Sequence, residues 1–94
     1  MRESVMTKLK SAKEVLFNKY PIHKMALFGS VARGENKPDS DIDILVEFTH
    51  PVGFEIVDLA EELETILKHK IDLVSRKAVK ESMWRYIQKD LLYV

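Results

Sequence analysis

From Asp41 to Phe48 the chain reads Asp-Ile-Asp-Ile-Leu-Val-Glu-Phe. At a repeat of two, Ile42, Ile44, Val46 and Phe48 share one face and Asp41, Asp43, Leu45 and Glu47 the other. A helix would scatter these residues around its axis, so the segment is constrained to be a strand, apolar on one side and polar at its start. The apolar face needs cover, and amphipathic helices on either side supply it. Val5, Leu9, Ala12 and Leu16 recur at helical spacing between lysines, which predicts a helix over about residues 3–19 that stops before Pro21. Ile56, Leu59, Ala60, Leu63, Ile66 and Leu67 predict another over about residues 54–68, entered through Pro51 and Gly53. Its acids, Glu55, Asp58, Glu61, Glu62 and Glu64, precede Lys68, His69 and Lys70, which suits the helix dipole and reads as a solvated structural face.

Lys24-Met25-Ala26-Leu27-Phe28, closed by Gly29, has the length and boundary of a buried strand. Ser30 to Arg33 has room for one helical turn before Gly34, and residues 35–40 form a polar loop with turn chemistry. Ile71 to Val74 predicts a third strand, residues 80–89 a last helix with Met83, Trp84 and Ile87 inward, and Leu91 to Val94 a short edge strand. The 41–48 and 70–74 strands are joined by a helical crossover and should run parallel, whereas the short link from the first strand permits an antiparallel pair. The expected class is therefore α/β (α+β): one domain over residues 1–94, a small mixed sheet flanked by helices.

The chain has 15 basic and 15 acidic residues, but their distribution is uneven. Residues 1–24 carry six basic and two acidic side chains, residues 25–75 four and eleven, and residues 76–94 five and two. Without a basic excess, nucleic acid is disfavoured as the main partner. Zero cysteines exclude disulfides, thiolate metal sites and thiol nucleophiles, and fit a reducing cytoplasm. No signal peptide or membrane span is expected, since no charge-free stretch approaches the length a span needs. His23, His50 and His69 lack metal-ligand spacing and read as surface or cap residues. Trp84, Tyr86 and Tyr93 read as core and edge packing.

Gly29-Ser30-Val31-Ala32-Arg33-Gly34 imitates a P-loop only superficially, because Glu35 stands where its lysine would be and no Ser or Thr follows. Three glycines, Gly29, Gly34 and Gly53, cannot supply a dinucleotide fingerprint either. What remains is a strand that ends in Gly-Ser and turns into a helical start, offering a hydroxyl and free backbone N–H groups to a phosphate. Asp41 and Asp43 follow on one strand face, about 7 Å apart along it. Asp72 joins them if its strand lies alongside in register. Such a set of hard oxygens suits Mg²⁺, which accepts phosphate oxygens as further ligands, and a phosphate cradle beside it equips a chain for phosphoryl or nucleotidyl transfer.

The run from Gly29 to Gly34 followed by Ser40-Asp41-Ile42-Asp43-Ile44-Leu45-Val46 resembles the signature of the minimal nucleotidyltransferases of the DNA polymerase beta-like superfamily. The likeness extends to the Pro-Val-Gly-Phe entry of the second helix and to the Lys-Ile-Asp-Leu-Val strand. It implies transfer of a nucleoside monophosphate from a triphosphate, with two Mg²⁺ ions and release of pyrophosphate. Asp41 and Asp43 would bind both metals. Asp72 would bind the catalytic one and orient or deprotonate the attacking hydroxyl, and Gly29 and Ser30 would hold the triphosphate. Arg33 and Ser40 match the nucleotide-binding motif, and for Arg33 a phosphate contact and a pin for the loop both stand open.

Larger nucleotidyltransferases hold their acceptor on an added domain, for which one core of this size leaves no residues. Members of the minimal family are similar to antitoxins that add AMP to a tyrosine of HEPN-domain ribonuclease toxins. The resemblance thus implies an ATP- and Mg²⁺-dependent protein adenylyltransferase with a HEPN-type partner. Two alternatives are an antitoxin that neutralises its partner by binding alone, and a transferase acting on a small molecule such as an aminoglycoside or on an RNA 3′ end. An uncapped edge at Leu91 to Val94 would offer a route to homo- or hetero-oligomers.

Overall fold

The computed structural model describes residues 1–94. In chain order its elements are α1 (Arg2–Lys19), β1 (Ile22–Phe28), α2 (Gly29–Arg33), β2 (Ile42–Phe48), α3 (Glu55–Leu67), β3 (Ile71–Ser75), α4 (Glu81–Ile87) and β4 (Leu92–Tyr93), with 3-10 turns at Arg76–Ala78 and Gln88–Asp90. The alternating segment is the inner strand β2 of a four-stranded sheet of order β3-β2-β1-β4. The sheet is mixed as expected: β1 runs antiparallel to β2 and to β4, and β2 parallel to β3.

Ile42, Ile44 and Val46 are fully buried, and so are Leu9 and Leu16 of α1 and Leu59 and Leu63 of α3. These side chains and Met25, Leu27 and Val31 form one core between the sheet and the two long helices. The period of β2 therefore dictates which face of the sheet the helices occupy, because a slip of one residue would push its carboxylates into that core. Leu45, on the other face, is also buried.

Several expectations are corrected. β1 begins two residues early, at a buried Ile22, and ends at Phe28, so Gly29 belongs to α2. The Thr49 amide bonds the Pro21 carbonyl and extends the pairing beyond the apolar run. The last helix is shorter than predicted, seven residues, and Met83 is exposed where it was expected inward. So short a helix has room for one inward ridge, and Trp84 and Ile87 occupy it. Tyr86 and Tyr93 are likewise exposed, while Trp84 carries the Arg76 guanidinium 3.8 Å above its ring.

On α3 the acids are not all solvated. Glu62 accepts the Tyr20 hydroxyl at 2.7 Å and Lys19 Nζ at 3.2 Å, tying the end of α1 to α3. That contact holds the Glu62 carboxyl below its usual range, while burial and the Glu62 contact push Tyr20 up to about 12. Spacing along one helix cannot reveal a partner 42 residues away. No helix is long and apolar enough to cross a membrane.

Truncating Leu63 tests the core directly. Leu63→Ala leaves a void under the sheet and is expected to lower unfolding free energy by about 2–5 kcal/mol, read by chemical denaturation at constant slope.

Candidate active site

The site lies where β1 stops and β2 and β3 start. In the β1–β2 register Phe28 faces Asp43, so the chain must turn away at the next residue, beside that carboxylate. Gly29 makes the turn at φ +75°, and a Cβ there would collide with Asp43 Oδ2. Only glycine meets both demands, since a positive φ and a close approach each exclude a side chain. α2 starts at this point with Ser30 half-buried in its first turn, and Gly34, again at positive φ, ends it. The Glu35 amide returns to the Ser30 carbonyl at 2.9 Å and closes the turn.

Asp43 and Asp72 are direct partners in the parallel β2–β3 register, so their side chains emerge on the same face. Asp41 joins that face from two residues earlier and is exposed. Asp43 is the most enclosed of the three, and its carboxyl is pushed up to about 6. Burial is the main cause, followed by the charges of Asp72 and Asp41 and a hydrogen bond shared with Asp72, while Arg33 pulls weakly the other way. The donors are carboxylate oxygens alone, with excess negative charge, which suits a hard divalent cation. As placed, the side chains do not enclose an ion by themselves. Mg²⁺ does not require them to, because it commonly takes one or two carboxylates and completes its shell with waters and substrate phosphates.

Arg33 and Ser40, the two other motif residues, are engaged within the protein. Arg33 donates from Nη1 to Asp90 at 2.7 Å and from Nε to Glu35 at 3.0 Å, which fastens α2 to the turn after α4. The Ser40 hydroxyl accepts the Lys37 amide at 2.8 Å and its own amide bonds the Lys37 carbonyl, so it caps the 37–40 turn. Its carbonyl in turn contacts His69 Nε2 at 2.6 Å. Asp90 and His69 were not singled out for these roles, and local spacing held no signal for them, since their partners lie 57 and 29 residues away.

A cleft of about 530 Å³ lies at the far ends of β2 and β3, among Glu47, Phe48, His50, Ser75 and Arg76. Neither it nor the next cavity, about 290 Å³ beside Phe17 and Tyr93, includes one of the three aspartates. The carboxylates stand on an open end of the sheet.

The raised Asp43 value has a measurable consequence. A carboxyl whose folded value lies above its unfolded one favours the folded state while protonated, and that contribution is lost as pH rises from about 4 through about 6. Asp43→Asn is therefore expected to stabilise the metal-free protein at pH 7.5, by about 1 kcal/mol or several degrees after allowance for solvent screening, and to have little effect near pH 4. Thermal melts at the two pH values check this.

Comparison with known proteins identifies the family. The family model for the nucleotidyltransferase domain matches residues 9–93. A Methanocaldococcus jannaschii protein provisionally named protein adenylyltransferase MJ1379 is 43% identical over 90 residues, covering 92% of this chain and 90% of its own. The protein adenylyltransferase MntA of Thermococcus cleftensis is 34% identical over 93 residues, covering 98% and 91%. Among solved structures, a chain described provisionally as a minimal nucleotidyltransferase superposes with a TM-score of 0.76 at 27% identity, covering 94% of this chain and 93% of that one. A tri-AMPylated Shewanella oneidensis HEPN toxin in complex with MNT antitoxin matches in fold at a TM-score of 0.68 and 21% identity, covering 99% and 71%. The family model spans nearly the whole chain, Gly29-Ser30 and the aspartate pair included, and the chain belongs to the nucleotidyltransferase domain family and is itself a nucleotidyltransferase.

Proposed function

We propose that the protein is a Mg²⁺-dependent protein adenylyltransferase that moves AMP from ATP to a tyrosine hydroxyl of a HEPN-type ribonuclease toxin, and so acts as the antitoxin of that partner. The observation that carries the reading is the placement of Asp43 directly opposite Asp72 and against Gly29 at the start of α2. The names of the MJ1379 and MntA relatives, and the AMPylated toxin held by an MNT antitoxin in a structure of the same fold, support a protein acceptor. A docked protein brings its own wall to carboxylates of which two, Asp41 and Asp72, are exposed, and this supports a protein acceptor.

On this reading Asp41 and Asp43 would hold two magnesium ions, with Asp72 as a further ligand. Magnesium, when bound, neutralises triphosphate charge and makes the attacking hydroxyl more acidic. Gly29 lets the backbone approach the triphosphate, and Ser30 and the first amides of α2 hold its oxygens. Asp72 orients the tyrosine hydroxyl toward the α-phosphorus. The new phosphorus–oxygen bond forms as the bond to the β-phosphate breaks, pyrophosphate leaves, and the hydroxyl proton passes to Asp72 or to water. Arg33, held by Asp90 and Glu35, keeps α2 at the correct angle and lends positive charge near Asp43. ATP as the donor and a sequence without cysteine support a cytoplasmic location.

The test is incubation with a HEPN toxin, ATP and Mg²⁺, followed by intact mass of the toxin and mapping of the modified residue. One or more adenylyl groups on tyrosine are expected, with the rate reduced at least about a hundredfold in Asp41→Ala and Asp43→Ala. Modification that persists in both variants overturns the assignment. Full neutralisation by the double variant, without modification, replaces it with inhibition by binding alone.

A further inference from the structure

The three aspartates do not sit on equally firm backbone. Asp43 and Asp72 lie inside strands and are held by the ladder, whereas Asp41 precedes β2 and follows a polar turn. Two contacts with the segment before β3 flank it. The Ile42 amide donates to the Lys70 carbonyl at 3.0 Å, and the Ser40 carbonyl meets His69 Nε2 at 2.6 Å. Because a carbonyl oxygen only accepts, that ring nitrogen carries the proton.

His69 is itself firmly placed. Lys68 at the end of α3 adopts φ +51°, the left-handed turn that aims the next residue back toward the 37–41 loop, and the imidazole is partly buried. Ser40 cannot recoil from it freely, since its hydroxyl and amide are both bonded to Lys37. Asp41 is thus suspended between a clamped residue on each side, and of the two clamps only the His69 contact depends on a side chain.

We propose that His69 is a positioning residue for Asp41, fixing through the Ser40 carbonyl the backbone from which that carboxylate reaches a divalent cation. The inference rests on the nucleotidyl-transfer reading and adds to it a residue outside the motif. It also gives a reason for a bulky polar side chain at the α3–β3 junction, where the turn itself would accept any residue suited to a helix end.

The experiment measures Mn²⁺ affinity by electron paramagnetic resonance in the presence of a non-hydrolysable ATP analogue, for the wild type, His69→Ala and His69→Gln. Melting temperatures and the separate kcat and KM for ATP are measured alongside. Glutamine places an N–H donor close to where Nε2 lies. His69→Ala is expected to weaken Mn²⁺ binding about tenfold, the usual scale for a group that orients a ligand through one hydrogen bond, with His69→Gln recovering most of it. The loss should fall on Mn²⁺ affinity and kcat, with KM for ATP nearly unchanged. Wild-type affinity in His69→Ala overturns the role of His69 and leaves the transferase reading intact. A loss that glutamine does not recover and that tracks a lowered melting temperature also overturns it, as the mark of a purely structural contact. If the wild type binds no Mn²⁺ with nucleotide, the transferase reading falls, and this inference with it.

Discussion

Two carboxylates held opposite each other across a parallel strand pair repel, and the remainder of this small structure is arranged around that fact. At about 5 Å and an effective dielectric of 20 the repulsion is about 3 kcal/mol, a large share of what a domain of this size has in reserve. The apolar alternation of β2 puts Asp43 on the face away from the core, and the β2–β3 register sets it opposite Asp72. Burial, together with the charges of Asp72 and Asp41, pushes the Asp43 carboxyl up to about 6. A site that stores such strain between like charges is disposed to take up a cation, and the strain is relieved when one arrives.

The surrounding elements follow from the same constraint. β1 must stop where Asp43 begins to crowd it, and glycine is the residue that can turn there. The turn leads at once into α2, whose first amides stand next to the carboxylates. α3 carries the chain back so that β3 runs parallel to β2, which is what sets Asp72 and Asp43 at the same height. At the C-terminal end Asp90 holds Arg33 and so fastens α2 to the turn after α4. The three aspartates and the start of α2 thereby meet at one end of a sheet of four short strands.

Much of this was readable from residue order because it is local. Period two in β2, helical spacing in α1 and α3, and a Gly-Ser after an apolar run are contained within windows of a dozen residues. The mixed sheet followed from the crossover rule, whereas the register that sets Asp72 opposite Asp43 is visible only in the structure. The failures concern contacts between distant parts. Glu62 looked like one more solvated acid, His69 like a helix cap, and Met83 like part of a buried stripe, because nothing nearby in sequence marks Tyr20, Ser40 or the limited reach of a seven-residue helix. Ser40 shows the subtler limit: the motif marks its position, whereas its contacts with Lys37 and His69 lie outside anything the motif specifies.

The most direct measurement of the central claim is a crystal structure with Mn²⁺ and a non-hydrolysable ATP analogue, read by the anomalous signal of the metal. The account predicts manganese between the triphosphate and oxygens of Asp41, Asp43 and Asp72, with the phosphates against Gly29 and Ser30. Manganese bound elsewhere, or a nucleotide seated in the cleft beside Arg76 with the three carboxylates unliganded, would contradict it.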